Sequence, residues 1–209
     1  DAVFAGGARD VSVDGLSALR ALLPELEKRF AAIVTVYEET ASIQDRTVST
    51  GVLKPELAKQ FGAGGFVGRA SGRSFDARRA LRYPPYDGLE FDVPVLEEGD
   101  VNARVWIRIH EVKQSVSLVK QILRQLPSGP ARTDLARSAG EGLAMVEGFR
   151  GDILVWLRID AAGRIARCHL RDPSWFQWPL LEAAIEGNIV ADFPICNKSF
   201  NCSYSGHDL

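Results

Sequence analysis

The chain has 209 residues, 46% of them hydrophobic and 25% charged, which is typical of a globular protein large enough to bury a core. Its formal net charge of −2 provides no bulk attraction to nucleic acid. Three cysteines, an odd number, argue against a disulfide framework and suit a reducing compartment. No apolar run approaches the roughly 18 residues of a bilayer-spanning helix. We therefore expect a soluble chain that can still dock on a membrane complex.

The first long element is a helix. Apolar residues recur at three- and four-residue spacing from about Leu16 to Ser42, which predicts one helix with a continuous apolar stripe. Asp14 or Asp10 is the candidate cap for its start. Pro24 lies inside this stretch and predicts either a kink or a restart of the helix.

A Gly- and Pro-rich segment follows, from Gln44 to Gly99. It is predicted to consist mainly of turns, apart from a short helix that follows Lys54-Pro55 and ends near Gly62. A loop of this length in a compact domain is usually functional or contacts a partner.

A second long helix is predicted from about Val101 to Leu126, with Asp100 as its N-cap. Its apolar stripe matches that of the first helix in length, so the two helices are expected to pack together as a bundle. Glu111 lies in the middle of this helix and faces either the bundle interior or a charged partner.

The last part of the chain turns to β-structure. Strands are predicted at Ala144–Glu147, Asp152–Ile159 and Arg164–Leu170, followed by a short helix from roughly Pro179 to Glu186. Cys168 lies in the third of these strands and is expected in the core. The predicted class is α+β, a long-helix bundle with a small antiparallel β-sheet.

One domain is expected over residues 1–209, with a helical part at about 1–140 and a β-hairpin and tail at about 141–209. No phosphate-binding loop, dinucleotide fingerprint, zinc-protease motif or serine-hydrolase motif is present. The sequence therefore gives no independent reason to expect nucleotide binding or nucleophilic catalysis.

The Gly-rich segment also carries a dense charged cluster, which binds either an acidic group or its own carboxylates. Its members are Arg69, Arg73, Asp76, Arg78, Arg79 and Arg82. Glu147 and Arg150 flank a turn before a strand. A carboxylate there relays protons if it is buried, because desolvation raises its pKa; the simpler alternative is a salt bridge.

Two further clusters lie near the end of the chain. Trp175, Phe176 and Trp178 are expected on a rigid loop bracketed by prolines, either as core or as an interface. Cys196, Cys202 and His207 offer soft ligands for zinc, although their spacing matches no standard zinc finger. The alternative is a solvated tail with two incidental thiols.

Several segments carry motifs that are weak alone and specific together. They are QDRTVSTGVL, VGRASGRSFDARRALRYPPYDGLEFDVP, GDVNARVWIRIHEVKQSVSLVKQIL, EGFRG and RDPSWFQWPLLEAAIEGNIVADFP with NKSFNCSYSGHDL. These segments resemble the large subunit of group 4 nickel-iron hydrogenases, of the formate hydrogenlyase and hydrogenase-4 type. They also resemble the related 49-kDa, or D, subunit of NADH:quinone oxidoreductase.

The resemblance breaks down at the metal site. Hydrogenases of this family end near a D-P-C-x-x-C motif whose thiolates bind nickel. Laid on this chain, the motif places Asn201 at the Asp, Ser203 at the first Cys and Gly206 at the second. The following Asp of the motif corresponds to Asp208. The resemblance therefore implies the C-terminal half of such a subunit, without nickel ligands.

The resemblance also implies roles for individual residues. Catalytic or proton-handling roles fall on Glu147, Arg150 and Asp192. Contacts to the redox cavity or to the former metal loop fall on Arg69, Asp76, Arg78, Asn201, Ser203 and Asp208. No metal ligand is expected among them.

The expected function is that of a component of a membrane-associated hydrogenase-like or NADH:quinone oxidoreductase-like complex, forming part of its redox or quinone cavity. The resemblance implies an iron–sulfur small subunit and membrane-arm subunits as partners, which also hold the iron–sulfur clusters and quinone, whereas NADH binds another subunit. The chain itself is expected to hold no cofactor and to lie peripherally on the cytoplasmic face of the inner membrane. Isolated, it is expected to be inactive.

Two other functions stay open at this stage. One is a non-catalytic assembly module that binds a partner through the aromatic and arginine-rich clusters. The other is a zinc-binding protein that uses the C-terminal cysteines and histidine.

Overall fold

The computed structural model describes residues 11–127 and 138–208. Its helices are Val13–Glu39 (α1), Ala41–Thr47 (α2), Pro55–Gln60 (α3), Gly65–Arg69 (α4), Ala77–Leu81 (α5), Val101–Arg124 (α6), Ser174–Ile185 (α7), Phe193–Phe200 (α8) and Tyr204–His207 (α9). Its strands are Gly140–Gly148 (β1), Gly151–Ile159 (β2) and Ile165–Arg171 (β3). The predicted α+β class is confirmed. Within these ranges, no helix is both long and apolar enough to cross a membrane.

The two long helices α1 and α6 pack against each other, as predicted. Leu23 of α1 is buried with Val116 and Leu123 of α6. Arg20 donates a hydrogen bond of 3.0 Å to the carbonyl oxygen of Leu123, near the C-terminal end of α6. This side chain satisfies one of the carbonyls that the last turn of a helix leaves without an intrahelical partner.

The start of α6 also agrees with the sequence. Asp100 Oδ1 accepts a hydrogen bond of 2.6 Å from the backbone N–H of Ala103, as expected of an N-cap. Asp100 Oδ2 accepts a second one, of 2.8 Å, from the N–H of Ser49. The predicted cap therefore ties the Gly-rich segment to the start of α6.

Helix α1 differs from the prediction at its start and in its middle. Ser12 Oγ accepts a hydrogen bond of 3.1 Å from the N–H of Gly15, so Ser12, and not Asp14, is the cap. The other candidate, Asp10, lies outside the described residues. The helix continues through Pro24, which excludes a restart there. Packing of the flanking turns on α6 offsets the hydrogen bond that a proline cannot donate.

The main core lies where α4, α6, α7 and α8 meet, and it contains Phe66, Val67, Ile107, Leu180, Ala184 and Phe200. Arg104 is fully buried beside it. Its guanidinium donates to the carbonyl oxygens of Gly99 (2.6 Å) and Gly51 (2.8 Å) and to Ser199 Oγ (2.9 Å). Burial lowers the pKa of Arg104 to about 10. This side chain therefore joins the Gly-rich segment to α8.

The three strands form an antiparallel sheet in the order β1-β2-β3. The three predicted strands are confirmed, although β1 begins at Gly140, four residues earlier than predicted. The pairing of β1 with β2 runs from Gly140 opposite Ile159 to Gly148 opposite Gly151. Cys168 is exposed, so its expected core position is wrong. It lies on an edge strand whose residues are mostly open to solvent.

The C-terminal part is more helical than predicted. Helix α7 begins at Ser174, five residues before the predicted start at Pro179, which lies inside the helix. Asp172 Oδ1 accepts a hydrogen bond of 2.8 Å from the N–H of Ser174 and stabilises this earlier start. The expectation of a rigid loop is therefore wrong for Trp175, Phe176 and Trp178.

The expectation of a solvated C-terminal tail is also wrong. Cys196 lies in α8 and is fully buried, and Cys202 is buried just after it. Both belong to the main core, because α8 folds back onto α6 and α7. Burial raises the pKa of each thiol, that of Cys202 to about 12. These cysteines are therefore protonated core residues at neutral pH.

Candidate functional site

A cavity of about 530 Å³ opens between α1, α6 and the end of β1. Its apolar wall is formed by Phe30, Val105, Ile109, Val112 and Phe149. Its polar wall contains Arg69, Arg78, Arg108, Glu111, Ser115 and Glu147. This combination of apolar surface and a few convergent polar groups is typical of a ligand pocket.

Arg69 is the centre of the polar wall. It ends helix α4, and its side chain is only 2% exposed, beside Glu147 at 4% and Glu111 at 18%. Its Nε donates to Glu111 Oε1 at 2.7 Å, and its Nη1 donates to Glu147 Oε1 at 2.9 Å. Nη1 also donates to the carbonyl oxygen of Phe75 at 3.0 Å. The arginine therefore joins three segments that are far apart in the sequence.

Asp76 and Arg78 continue this network. Arg78 donates from Nε to Asp76 Oδ1 (3.0 Å) and from Nη2 to Asp76 Oδ2 (2.7 Å), a two-point contact. Asp76 Oδ2 also lies 3.6 Å from Arg69 Nη1. Burial by itself would raise the pKa of Asp76, but the hydrogen bonds and charges of both arginines lower it below its usual range. For Asp76, Arg69 and Arg78, ion pairing within the cluster is thus observed.

Glu147 has the opposite pKa shift. Its Oε2 accepts a hydrogen bond of 2.9 Å from the N–H of Ala77, and its own N–H donates to the hydroxyl of Tyr83. Burial raises the pKa of Glu147, and this effect exceeds the opposing effects of Arg69 and of the Ala77 N–H. Glu147 therefore binds a proton more readily than Asp76, its neighbour in the network.

Arg150 belongs to a second cluster, at the turn between β1 and β2. Its Nη2 donates to Asn201 Oδ1 at 2.8 Å, and its Nε donates to the carbonyl oxygen of Asn201. Asn201 ends α8 with a φ of +55°, a conformation that asparagine tolerates better than most residues. Ser203 Oγ accepts from the N–H of Gly206 at 2.9 Å and caps α9. The loop that follows α8 is thus held by an arginine and helix caps.

The remaining predicted residues lie elsewhere. Asp192 is in a short 3₁₀ turn, and its Oδ1 pairs with Arg46 Nη2 at 3.3 Å. Asp208 is exposed after α9. Among the described residues, no hydrogen bond or ion pair links either aspartate to Arg69 or Arg150. The sequence-predicted set is therefore divided between the cavity network, the β1–β2 turn and two separate positions.

The structure places two residues in the site that the sequence did not assign to it. Glu111 is the exposed end of the network, and Arg108 lies one helical turn before it on α6. Both border the apolar stripe of this helix, and Arg108 was not identified as a site residue. One sequence feature could have identified them: their opposite charges lie three residues apart and beside apolar positions. Side chains at this spacing share one helix face.

The zinc alternative receives no support from the geometry. In the described part of the chain, no three His, Cys, Asp or Glu side chains converge in a way that would hold a metal ion. The alternative of an assembly module that binds a partner through its aromatic cluster is also weakened, because Trp175 and Trp178 make contacts within the chain. Trp175 Nε1 donates to the carbonyl oxygen of Gly206 at 2.8 Å, and Trp178 packs edge-on against Tyr204 at 5.0 Å.

Comparison with known proteins gives consistent results. The sequence matches the family described as respiratory-chain NADH dehydrogenase, 49 Kd subunit, over residues 2–139 and 132–208. It is 32% identical to a carbon monoxide-induced hydrogenase of Rhodospirillum rubrum, over 96% of this chain and 56% of the relative. It is 33% identical to the D subunit of the NADH-quinone oxidoreductase of Syntrophobacter fumaroxidans, over 90% of this chain and 52% of the relative.

A solved structure has the same fold. It is the membrane-bound sulfane sulfur reductase, an archaeal respiratory membrane complex, one chain of which matches with a TM-score of 0.88 and 28% identity. The match covers 95% of this chain and 56% of that one, so this chain spans about half the length of its relatives. The expected resemblance is confirmed: the chain belongs to the 49-kDa subunit family of respiratory-chain NADH dehydrogenase, which it shares with hydrogenase-type relatives.

Proposed function

We propose that this chain is part of a peripheral subunit of a membrane-associated, hydrogenase-like or NADH:quinone oxidoreductase-like complex, in which it forms one wall of the redox cavity. The names of its relatives support the type of complex. The fold shared with a chain of an archaeal respiratory membrane complex supports it independently.

The observation that carries the proposal is the charged network on the cavity wall. Glu111, Arg69 and Glu147 are joined by hydrogen bonds of 2.7 and 2.9 Å, and only Glu111 has appreciable exposure to the cavity. Glu147, at the buried end, has a raised pKa. A carboxyl with such a pKa, connected to a cavity through charged groups, is suited to hold and release a proton during electron transfer.

The donor set does not fit nickel. Hydrogenase-type nickel binding takes two of its thiolates from the C-terminal D-P-C-x-x-C motif, and this chain has neither of them. Cys168 is exposed on the sheet, whereas Cys196 and Cys202 are buried in the main core. At the positions of the two nickel-binding cysteines stand Ser203 and Gly206, which form a helix cap. We therefore assign no step to a metal in this chain.

Roles for the other predicted residues follow from their contacts. Arg69, Asp76 and Arg78 fix the position of Glu147, and Arg150 fixes the loop at Asn201. Asp192, Ser203 and Asp208 stay predictions without a contact to the cavity. The quinone and iron–sulfur clusters belong to partners, an iron–sulfur small subunit and membrane-arm subunits. We place the subunit on the cytoplasmic face of the inner membrane.

The test is a matched pair of variants in the complex purified from its native membrane. Glu147→Gln removes the buried carboxyl. Glu141→Gln is the control, because Glu141 lies on the same strand and face but is exposed and bonded to Trp156. We expect Glu147→Gln to reduce turnover about 100-fold, the effect of losing a general acid–base group, and the control to leave turnover unchanged.

Other outcomes would refute separate parts of the proposal. Unchanged turnover in an assembled Glu147→Gln complex would exclude the proton-handling role. Stoichiometric nickel in the purified sample would contradict the metal-free site. The absence of an iron–sulfur subunit and of membrane subunits from the purified material would contradict the assignment to a respiratory complex and favour a separate assembly module.

A further inference from the structure

One nitrogen of Arg69, Nη1, lies among three acceptors but carries only two N–H groups. These donate to Glu147 Oε1 at 2.9 Å and to the carbonyl oxygen of Phe75 at 3.0 Å. The third acceptor, Asp76 Oδ2, lies 3.6 Å away, which is near enough for an ion pair but too far for a hydrogen bond. Arg69 is therefore bonded to Glu147, with the Asp76 carboxylate beside it as an alternative acceptor.

The Asp76 carboxylate has room for one more hydrogen bond. Its Oδ1 accepts from the backbone N–H and the Nε of Arg78, whereas its Oδ2 accepts, within the described chain, only from Arg78 Nη2. A carboxylate oxygen accepts two hydrogen bonds. Burial opposes the ionisation of Asp76, but the contacts with Arg78 and Arg69 hold its pKa below the usual range. Asp76 therefore stays an anion with one unused acceptor position facing Arg69.

A proton on Glu147 takes an acceptor away from one of its two donors. The ionised carboxyl accepts from Arg69 at Oε1 and from the N–H of Ala77 at Oε2. A neutral carboxyl has one carbonyl oxygen and one O–H group, so it is a strong acceptor at only one of these positions. Among the described residues, the Ala77 N–H has no other acceptor, whereas Arg69 has Asp76. The donor that changes partner is therefore Arg69.

We infer, building on the proton-handling role proposed for Glu147, that Asp76 is a positioning residue that takes over Arg69 Nη1 whenever Glu147 is protonated. The proton occupies Oε1 of Glu147, and the bond from Nη1 to Oε1 is exchanged for a bond from Nη1 to Asp76 Oδ2. When the proton leaves, the exchange is reversed. Nη1 thus has an ionised acceptor in both states, which lowers the cost of protonating a buried carboxyl beside a buried cation.

The other charged and titratable groups around Glu147 do not offer this exchange. Glu111 accepts from Nε, on another edge of the Arg69 guanidinium, and Arg78 is bonded at two points to Asp76. The remaining groups are Arg73, Tyr83, Arg108 and Asp152. In the described part of the chain, none of these four makes a hydrogen bond or an ion pair with the Glu147 carboxyl or with Arg69. The exchange therefore concerns Arg69 and two carboxyls only.

The test is a crystal structure of the 209-residue chain carrying Glu147→Gln, compared with the wild type. An amide has one acceptor and one donor end, as a protonated carboxyl does. We expect Arg69 Nη1 to move from 3.6 Å to within about 3.2 Å of Asp76 Oδ2, a hydrogen-bond distance. Glu111→Gln is the matched control, because it alters the other carboxyl bonded to Arg69 and leaves Glu147 ionised. There Nη1 should stay on Glu147.

Wild-type crystals provide the same comparison without a substitution. Carbon-13 nuclear magnetic resonance gives the pH at which Glu147 is protonated, and crystals at that pH and at pH 8 should show Nη1 on Asp76 and on Glu147, respectively. An Nη1 that keeps its position in both comparisons would overturn the inference, as would an equal movement in the Glu111→Gln control.

Turnover of the purified complex separates this result from the redox role. Loss of turnover in Glu147→Gln without movement of Arg69 would remove the exchange and leave the proton-handling role of Glu147. Movement of Arg69 with unchanged turnover would establish the exchange and remove that role.

Discussion

Replacement of Arg69 by Leu removes the cation that joins the cavity carboxylates. The side chains of Arg69 and Glu147 are 2% and 4% exposed, so the substitution leaves a buried carboxylate without its ion-pair partner. Breaking a buried pair in this way costs about 3–5 kcal/mol of unfolding free energy. For a chain of this size, the expected decrease in melting temperature is roughly 6–20 °C. Thermal and urea denaturation of the purified chain at pH 7 measure both quantities.

The pH dependence of this loss tests its cause. Glu147 already has a raised pKa in the folded chain, and removal of Arg69 raises it further because a stabilising charge is lost. A folded state that binds a proton more tightly than the unfolded state loses stability as the pH rises above the pKa of the unfolded chain. The cost of Arg69→Leu should therefore be smaller at pH 5 than at pH 7. A cost that is independent of pH would show that lost packing, and not the buried charge, is responsible.

A double-mutant cycle completes this test. In Arg69→Leu/Glu147→Gln, the uncompensated carboxylate is replaced by a neutral amide of similar size. We expect the double variant to be more stable than the sum of the two single effects indicates, by about 0.5–3 kcal/mol, the range of coupling between groups in contact. Additive effects, or an Arg69→Leu cost below about 1 kcal/mol, would refute the description of this network as a set of interdependent buried charges.

The other predictions concern a close backbone approach, the thiols and a buried cation. Gly65→Ala should destabilise the chain by more than the roughly 1–2 kcal/mol of a left-handed conformation, because its Cβ would lie 2.3 Å from a carbonyl oxygen of the β1–β2 turn. Gly62→Ala, with a similar φ of +63° but open space around it, is the control in the same urea titration. Mass spectrometry after iodoacetamide treatment should find Cys168 alkylated and Cys202 protected until the chain is denatured, because only the former is exposed. Arg104→Met removes three hydrogen bonds and leaves the buried carbonyl oxygen of Gly51 without its donor, whereas Gly99 O still accepts from the Leu53 N–H and Ser199 Oγ still donates to Cys196. It should lower the unfolding free energy by about 1–3 kcal/mol in urea denaturation.

The elements that the sequence predicts well are those with local signals. Helix α6 begins where Asp100 caps it, and the strands β2 and β3 follow apolar patterns separated by a clear turn at Asp160. These features depend on residues within one or two turns of each other, so a single sequence is sufficient. The start of α1 was misjudged because Ser12 and Asp14 both have suitable capping side chains, and only the backbone geometry distinguishes them.

The site could be predicted only in part, because its contacts are not local. Arg69 meets Glu111 across 42 residues and Glu147 across 78. No periodicity specifies such pairs, and it was the resemblance to a family that brought Arg69 and Glu147 into one set. The burial of Cys196 was missed for the same reason. The position of α8 against α6 is determined by packing between distant segments, which the eight residues FPICNKSF do not specify by themselves.

The turn between β1 and β2 explains how the separate clusters are related. Within four residues it carries Glu147 into the Arg69 network, Phe149 onto Arg108, and Arg150 onto Asn201. Its backbone is held from outside, because Gly65 approaches it too closely to admit a side chain. The turn therefore cannot shift toward one cluster without disturbing the others. The turn therefore connects the Glu147 network to the Asn201 loop through its backbone, although no hydrogen bond between the described residues joins the two directly.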